Sequence, residues 1–162
     1  MPSVVDIAVH AARPALAVAR AELEVVCSPA CEIEGFPDLL AIALRHLLCN
    51  AAESFTPDTE RASVPSGRRR VRICVRTEGP NVAVHVEDSG PGVPQDLRAR
   101  VFEPSVSTKG TGRGLGLAVA RHVVTAHNGW MELGTSELGG ARLSVLIPGR
   151  SAALEALRRA PT

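Results

Sequence analysis

The residues best suited to chemistry lie in a glycine-rich stretch that leads into a predicted helix. Its glycines and basic residues include Gly112, Gly114, Gly116, Lys109 and Arg113. The first turn of a helix offers unpaired N–H groups and the positive end of its dipole, and glycine lets the backbone approach a phosphate closely. The stretch therefore predicts an anion site. The alternative is a glycine-rich surface loop that caps an ordinary helix.

A second polar set lies on a strong predicted helix from Phe36 to Phe55. His46 and Asn50 are four residues apart, so they share one face of this helix, and Glu53 lies about one turn further along on the same side. A solvated helix position is the commoner interpretation of the asparagine taken alone.

An aspartate stands at the end of a predicted hairpin. Residues 71–77 and 81–87 alternate between apolar and polar, which predicts two strands with one buried face. Asp88 follows directly, with Gly90 and Gly92 behind it. Turn chemistry is the usual reason for an aspartate here. The alternative is a carboxylate aimed at the amino group of a flat ligand that the glycines admit.

Other predicted elements complete the fold without contributing chemistry. They are a helix over 4–22, short strands over 23–27 and 31–33, a helix from 114 to about 127, a hairpin of 130–135 and 141–147, and a tail helix over 151–160. Pro14 is expected to kink or restart the first helix. We predict a single domain over 1–162, with an N-terminal helix at 1–22, a core at 23–150 and a helical tail at 151–162.

Composition narrows the function class. Lys and Arg number 18 against 17 Asp and Glu, and aromatic residues make up 2%, which argues against nucleic-acid binding. The four cysteines form no CxxC pair, so we expect small buried apolar residues rather than a zinc site. Neither a membrane span nor a signal layout is present in the sequence, which predicts a soluble, cytoplasmic protein without direct membrane contact.

In combination and order, these motifs resemble the ATP-binding catalytic domain of bacterial sensor histidine kinases. That superfamily also holds DNA gyrase and the heat-shock chaperone ATPases. Asn50-Ala51 resembles the N box, 88–92 the first glycine box, Phe102-Glu103-Pro104 the F box and 112–117 the second glycine box, while 139–148 is similar to the closing strand. The F box and the Ser-Thr-Lys after it look most like the nitrogen-regulation type.

The resemblance implies an α+β fold, a two-layer α/β sandwich known as the Bergerat ATP-binding fold. Its mixed sheet of about five strands carries about three helices on one face, and ATP lies between the helix layer and a lid. The resemblance also implies that Asn50 coordinates Mg²⁺ and that Asp88 accepts a hydrogen bond from the adenine amino group. Gly90 and Gly92 would shape the purine pocket.

The remaining implied roles concern phosphate. The nucleotide-binding residues that the resemblance implies are Asn50, Glu53, Asp88, Gly90, Gly92, Lys109, Gly112, Arg113, Gly114, Leu115 and Gly116. The implied catalytic residues are His46, Asn50 and Lys109. Sensor kinases usually carry an asparagine at the position of His46, and the gyrase branch a glutamate. This histidine is either a structural residue near the site entrance or a group that polarises a water or hydroxyl.

The resemblance further implies partners. His10 lacks the acidic neighbour that phosphoacceptor histidines usually have, so we expect the acceptor on a dimerisation and histidine-phosphotransfer domain, in trans or on a removed portion, with a response regulator downstream. The isolated domain is expected to be a monomer. Two alternatives remain open: a nucleotide-gated interaction module that does not phosphorylate its partner, and an anti-sigma-type serine kinase.

Overall fold

A computed structural model describes residues 3–29, 31–55, 69–104 and 114–150. The helices and strands are α1 (Val4–Ala19), β1 (Glu22–Cys27), α2 (Pro37–Glu53), β2 (Arg70–Glu78), β3 (Asn81–Asp88), α3 (Gln95–Arg98), α4 (Gly116–Ala126), β4 (Trp130–Thr135) and β5 (Ala141–Pro148). The five strands form one sheet in the order β1-β2-β3-β5-β4. β1 runs parallel to β2 and the other neighbours are antiparallel, which confirms the predicted mixed sheet and α+β class.

One face of the sheet forms the core together with α1, α2 and α4. Alternation along the strands sends every second side chain to this face, and the cross-strand register aligns them: Ile73 pairs with Val86 on β3, which pairs with Leu143 on β5. Leu47 and Leu48 of α2 are fully buried against this face. The buried strand residues are Val71, Ile73, Val75, Val82, Val84, Val86, Leu143, Val145 and Ile147.

Helix α1 packs on α2 through small side chains, since Ala8 and Ala12 are fully buried. Pro14, which is expected to kink or restart this helix, does not restart it, because the helix is continuous from Val4 to Ala19. Two features compensate for the loss of the backbone hydrogen bond that Pro14 cannot donate. The side chain of Ser3 forms a capping box with Asp6, and the buried alanines anchor the helix on α2.

Three further expectations need correction or addition. The cysteines are expected to be buried, but Cys27 is exposed because it lies in the edge strand β1, and the other three are half-buried. Of residues 31–33, Ile33 alone pairs, in an isolated bridge to Gly149. The short helix α3 is an element that the sequence patterns do not predict.

The predicted tail helix lies outside the described residues, and the single-domain division stays a prediction. Among the described helices, none combines the length and apolar character needed to cross a bilayer.

Candidate functional site

The carboxylate of Asp88 is held at the end of β3 by backbone groups. Asp88 is 4% exposed, and its Oδ1 accepts hydrogen bonds from the N–H groups of Gly90 at 2.8 Å and Ala141 at 3.3 Å. Its main-chain oxygen accepts a third bond, from the N–H of Gly140 at 3.0 Å. These bonds fix both the backbone and the side chain of Asp88 to the turn between β4 and β5.

The glycine turn after Asp88 is also fixed to β2. The N–H of Ser89 donates to the carbonyl oxygen of Arg70 at 3.0 Å, and the N–H of Arg70 donates to Ser89 Oγ at 2.9 Å. Ser89 therefore pairs with the first residue of β2 in both directions. The turn is held from both neighbouring strands, which pre-organises it for binding.

Two glycines around this turn are required by close contacts. A Cβ on Gly140 would collide with the side chain and main chain of Asp88, and a Cβ on Gly90 would collide with the hydroxyl of Ser54. Gly92 is different, because its φ of +73° favours glycine although the nearest atoms would lie 3.8 Å from a Cβ at that position. Sequence reasoning missed Ser54 and Gly140. The signals were the spacing of Ser54, four residues after Asn50, and the paired glycines that we interpreted only as a hairpin turn.

The C-terminal half of α2 presents the second polar set. His46 and Asn50 are half-buried, whereas Glu53 is exposed. Burial lowers the pKa of His46, Arg45 lowers it further, and Glu53 opposes both effects. The imidazole is therefore neutral at neutral pH, and it can act as a hydrogen-bond donor and acceptor.

The start of α4 lies against His46. A Cβ on Gly116 would lie 3.2 Å from His46 Nδ1, so glycine allows this close approach. Gly114 has a φ of +60°, Leu115 is exposed, and no side chain caps the first N–H groups of α4 among the described residues. This helix start therefore has the features of an anion site.

Helices α2 and α4 run antiparallel, as a second contact shows. His127, just after α4, accepts a hydrogen bond at Nε2 from the N–H of Phe36 at 3.0 Å, at the start of α2. Its Nδ1 donates to the carbonyl oxygen of Val123 at 2.8 Å. Both ring nitrogens are thus used in hydrogen bonds, in agreement with a structural role for this histidine.

Along α2 the two parts of the site are connected. His46, Asn50 and Ser54 recur every four residues and share one face of the helix over about 12 Å. His46 contacts the start of α4, while Ser54 contacts the glycine turn after Asp88. Asn50 lies between them, and its carbonyl oxygen accepts a bond from the Ser54 N–H at 3.1 Å.

The described residues fit a nucleotide with a magnesium ion. A buried, pre-oriented carboxylate suits a base that carries an amino group, and the start of a helix suits phosphate. The side chains of Asn50 and Glu53, one turn apart, offer the oxygen ligands that Mg²⁺ prefers. Within the described ranges no three acidic, histidine or cysteine side chains converge on one point. Lys109, Gly112 and Arg113 lie outside the described residues.

Comparison with known proteins gives the family. Residues 35–151 match the family described as histidine kinase-, DNA gyrase B- and HSP90-like ATPase. The chain is 34% identical over 141 residues to the sensor histidine kinase GtrS of Pseudomonas aeruginosa, which covers 86% of this chain and 27% of GtrS. It is 35% identical over 104 residues to the nitrogen regulation protein NtrY of Azorhizobium caulinodans, covering 62% of this chain and 13% of NtrY.

A solved structure agrees with these relatives. The ATP binding domain of PrrB from Mycobacterium tuberculosis superposes with a TM-score of 0.68 at 29% identity, covering 91% of this chain and 95% of that domain. The chain thus spans about a quarter or less of the two curated relatives but nearly the whole of this domain. The chain belongs to the histidine kinase-, DNA gyrase B- and HSP90-like ATPase family, and its similarity is to the catalytic domains of sensor histidine kinases.

Proposed function

We propose that this chain binds Mg·ATP and donates the γ-phosphoryl group to a histidine on a dimerisation and phosphotransfer domain, in two-component signal transduction. One observation carries the proposal. A single face of α2 connects a buried carboxylate turn, suited to the base, with a glycine-rich helix start, suited to the phosphates. Both ATP and response regulators are cytoplasmic, so we place the protein there.

In this proposal the base binds at the Asp88 turn. The carboxylate, oriented by the N–H groups of Gly90 and Ala141, accepts a hydrogen bond from the adenine amino group. A purine that presents a carbonyl oxygen at this point would bring two acceptors face to face in a buried site, which gives selectivity for adenine over guanine. Gly90 and Gly92 leave room for the flat ring, with the hydroxyl of Ser54 beside Gly90.

The phosphates bind at the start of α4 in this proposal. Gly114, Leu115 and Gly116 contribute N–H groups there, and the helix dipole favours negative charge. Gly112 would add another N–H group. Lys109 and Arg113, on the lid, would bring positive charge to the phosphates, with Lys109 assigned a catalytic role. In the described part of the site, backbone N–H groups would position the phosphates. Phosphoryl transfer depends on such positioning more than on covalent chemistry by the protein.

Asn50 is the proposed magnesium ligand, with Glu53 nearby on the same side of α2. When bound, the ion neutralises charge on the phosphate oxygens and keeps most of its other ligands from phosphate and water. His46 lies one turn before Asn50, against the start of α4. Because its pKa is lowered by burial, the neutral ring can hydrogen-bond a water or hydroxyl near the terminal phosphate.

Transfer breaks the bond between the γ-phosphorus and the oxygen of ADP and forms a bond from phosphorus to an imidazole nitrogen. The acceptor imidazole comes from the partner domain, and the phosphoryl group then passes to a response regulator. The surface beside the start of α4 suits such docking. Ile42 and Val119 are both exposed, and along their own helices they lie about one turn from His46 and Gly116, respectively.

Calorimetric titration of ATP, with and without Mg²⁺, tests the site. Asp88→Asn places an amide where the carboxylate stands, and we expect it to remove most of the affinity, about tenfold to a hundredfold. Asn50→Ala should remove only the part that depends on Mg²⁺. Absence of adenine-nucleotide binding by the wild type would refute the proposal.

Transfer from radiolabelled ATP to isolated dimerisation and phosphotransfer domains tests the reaction itself. We expect Ile42→Glu and Val119→Glu to reduce transfer without changing ATP affinity, because they alter only the proposed docking surface. Tight ATP binding without transfer to any acceptor would instead support the nucleotide-gated interaction module.

A further inference from the structure

A cavity of about 650 Å³ lies between the helix layer and the sheet, at the end of the sandwich away from the candidate nucleotide site. The elements that contribute to both the cavity and the nucleotide site do so with opposite ends. Leu40 and Ala43 come from the first half of α2, whereas Asn50 lies in the second half. Val84 belongs to the first half of β3, and Val145 to the second half of β5. The cavity is therefore distinct from the nucleotide site.

The inner wall of the cavity is apolar. It is made by side chains of both layers, including Leu44, Val84, Val124 and Val145, each of them at most 4% exposed. A space of this volume falls within the range of small-molecule sites, and an apolar wall favours a hydrocarbon ligand over water.

The mouth of the cavity is charged. Arg150 lies between two carboxylates, with Nη1 at 3.2 Å from Glu32 and Nε at 3.7 Å from Glu34. The N–H of Arg150 also donates to the carbonyl oxygen of Glu32 at 3.0 Å. Two carboxylates share one guanidinium, so the described residues of the mouth carry an excess negative charge. Ser3 also lines the cavity, and its hydroxyl donates a hydrogen bond to a third carboxylate, that of Asp6.

We propose that this cavity binds a small amphiphile with an aliphatic body and a cationic ammonium head. The aliphatic body replaces empty space against the apolar wall, which removes hydrocarbon from water. The ammonium group stays at the mouth, beside Glu32 and Glu34, where it remains partly solvated. The site is independent of the proposed kinase function, because none of its lining residues belongs to the nucleotide site.

Titration of the full chain with n-decylammonium below its micelle concentration tests the proposal, with decanoate as the anionic probe of the same chain length. We expect saturable binding that shifts the methyl NMR signals of Val84 and Val145. Decanoate should bind about tenfold more weakly, since its charge is repelled at a partly exposed mouth. Lack of saturable binding, or equal affinity for the two probes, would overturn the proposal.

Two matched variants separate the cavity from surface adsorption. Ala43→Leu should fill the cavity, so it is expected to keep the wild-type melting temperature while decylammonium binding is lost. Ala12→Leu makes the same change at a fully buried position of α1 that does not line the cavity, and it should lower the melting temperature. The proposal fails if Ala43→Leu melts as low as Ala12→Leu, or if it binds decylammonium like the wild type.

A third variant keeps the test independent of core packing. Glu34→Gln alters only the charge at the exposed mouth, so the fold is retained. We expect this variant to bind decylammonium several-fold more weakly, while decanoate binds no more weakly than before. An unchanged preference for the cation would contradict the assignment of the head group to this mouth. ATP affinity, measured on the same samples, should be unaffected by all three variants.

Discussion

Gly140→Ala is the most direct test of how the candidate base site is built. Gly140 lies in the turn between β4 and β5, and its N–H donates to the main-chain oxygen of Asp88 at 3.0 Å. A Cβ at this position would stand 2.6 Å from that oxygen and 2.6 Å from the N of Gly90, and it would also collide with the Asp88 carboxylate. Two of these atoms are backbone, so a side-chain rotation cannot relieve the overlap.

The size of the effect follows from the contacts that must open. Ordinary van der Waals contact begins at 3.4 Å, so the two turns have to separate by roughly 0.8 Å, the difference from 2.6 Å. That movement breaks the bond from the Gly140 N–H to Asp88 and the 3.3 Å bond from the Ala141 N–H to the carboxylate. A neutral hydrogen bond contributes about 1 kcal/mol and one to a charged group about 1.5–3 kcal/mol. We therefore expect a loss of roughly 2.5–4 kcal/mol of unfolding free energy.

ATP affinity should fall as well, because the same two bonds orient the carboxylate that we assign to adenine. Loss of that orientation predicts about tenfold to a hundredfold weaker binding. The measurements are urea denaturation for stability and calorimetry for ATP. Gly134→Ala is the matched control, since its Cβ would meet only the Arg142 side chain, at 3.5 Å, and it should change stability by less than about 0.5 kcal/mol. Wild-type stability and ATP affinity in Gly140→Ala would refute this account of the turn.

Two other predictions concern the histidines of the helix layer. His127→Ala removes a buried imidazole and the acceptor for the part-buried N–H of Phe36, and it should lower the unfolding free energy by about 1–3 kcal/mol in urea denaturation. His122→Ala, at an exposed position of α4, should leave it nearly unchanged. The lowered pKa of His46 predicts that the unfolding free energy depends on pH. Its pKa in the folded state lies below the ordinary histidine value of 6.5, so the unfolded chain takes up the proton first. The unfolding free energy therefore falls as the pH drops through about 6.5. Melting curves between about pH 5 and 8 should show this component in the wild type and lack it in His46→Gln; an identical pH profile for the two proteins would contradict it.

The sequence was sufficient for most of the helices and strands, whereas the site residues it points to stay predictions. Strict alternation in 71–77 and 81–87 predicted the β2–β3 hairpin, and the structure has it as Arg70–Glu78 and Asn81–Asp88. The secondary structure of these segments is determined locally, because the alternating residues and the turn residues between them lie within a few positions of one another along the chain. The resemblance of the ordered motifs then supplied the fold, which the five-stranded mixed sheet confirms.

Contacts between distant segments could not be predicted in this way. The hydroxyl of Ser54 lies against Gly90, and the main chain of Gly140 lies against Asp88. The spacing of Ser54 and the paired glycines mark these positions, but they do not indicate which distant segment each one contacts, because that depends on how α2 and the β4–β5 turn approach the end of β3. The error over Cys27 has the same origin. A cysteine is small and apolar wherever it stands, and only the sheet order places β1 at an exposed edge.

The register of α4 on α2 decides whether the separate parts of the site can serve one ligand. Two histidine contacts set that register: Gly116 lies against His46 at one end of the helix pair, and His127 bonds the N–H of Phe36 at the other. A slip of one turn, about 5.4 Å, would break both contacts and carry the start of α4 away from Asn50. The contact with Gly116 therefore gives His46 a structural reason to be present, whether or not the ring also takes part in turnover. His46→Asn and His46→Gln separate these roles, because loss of packing would lower stability in both variants, whereas loss of a catalytic imidazole would lower the transfer rate at unchanged ATP affinity.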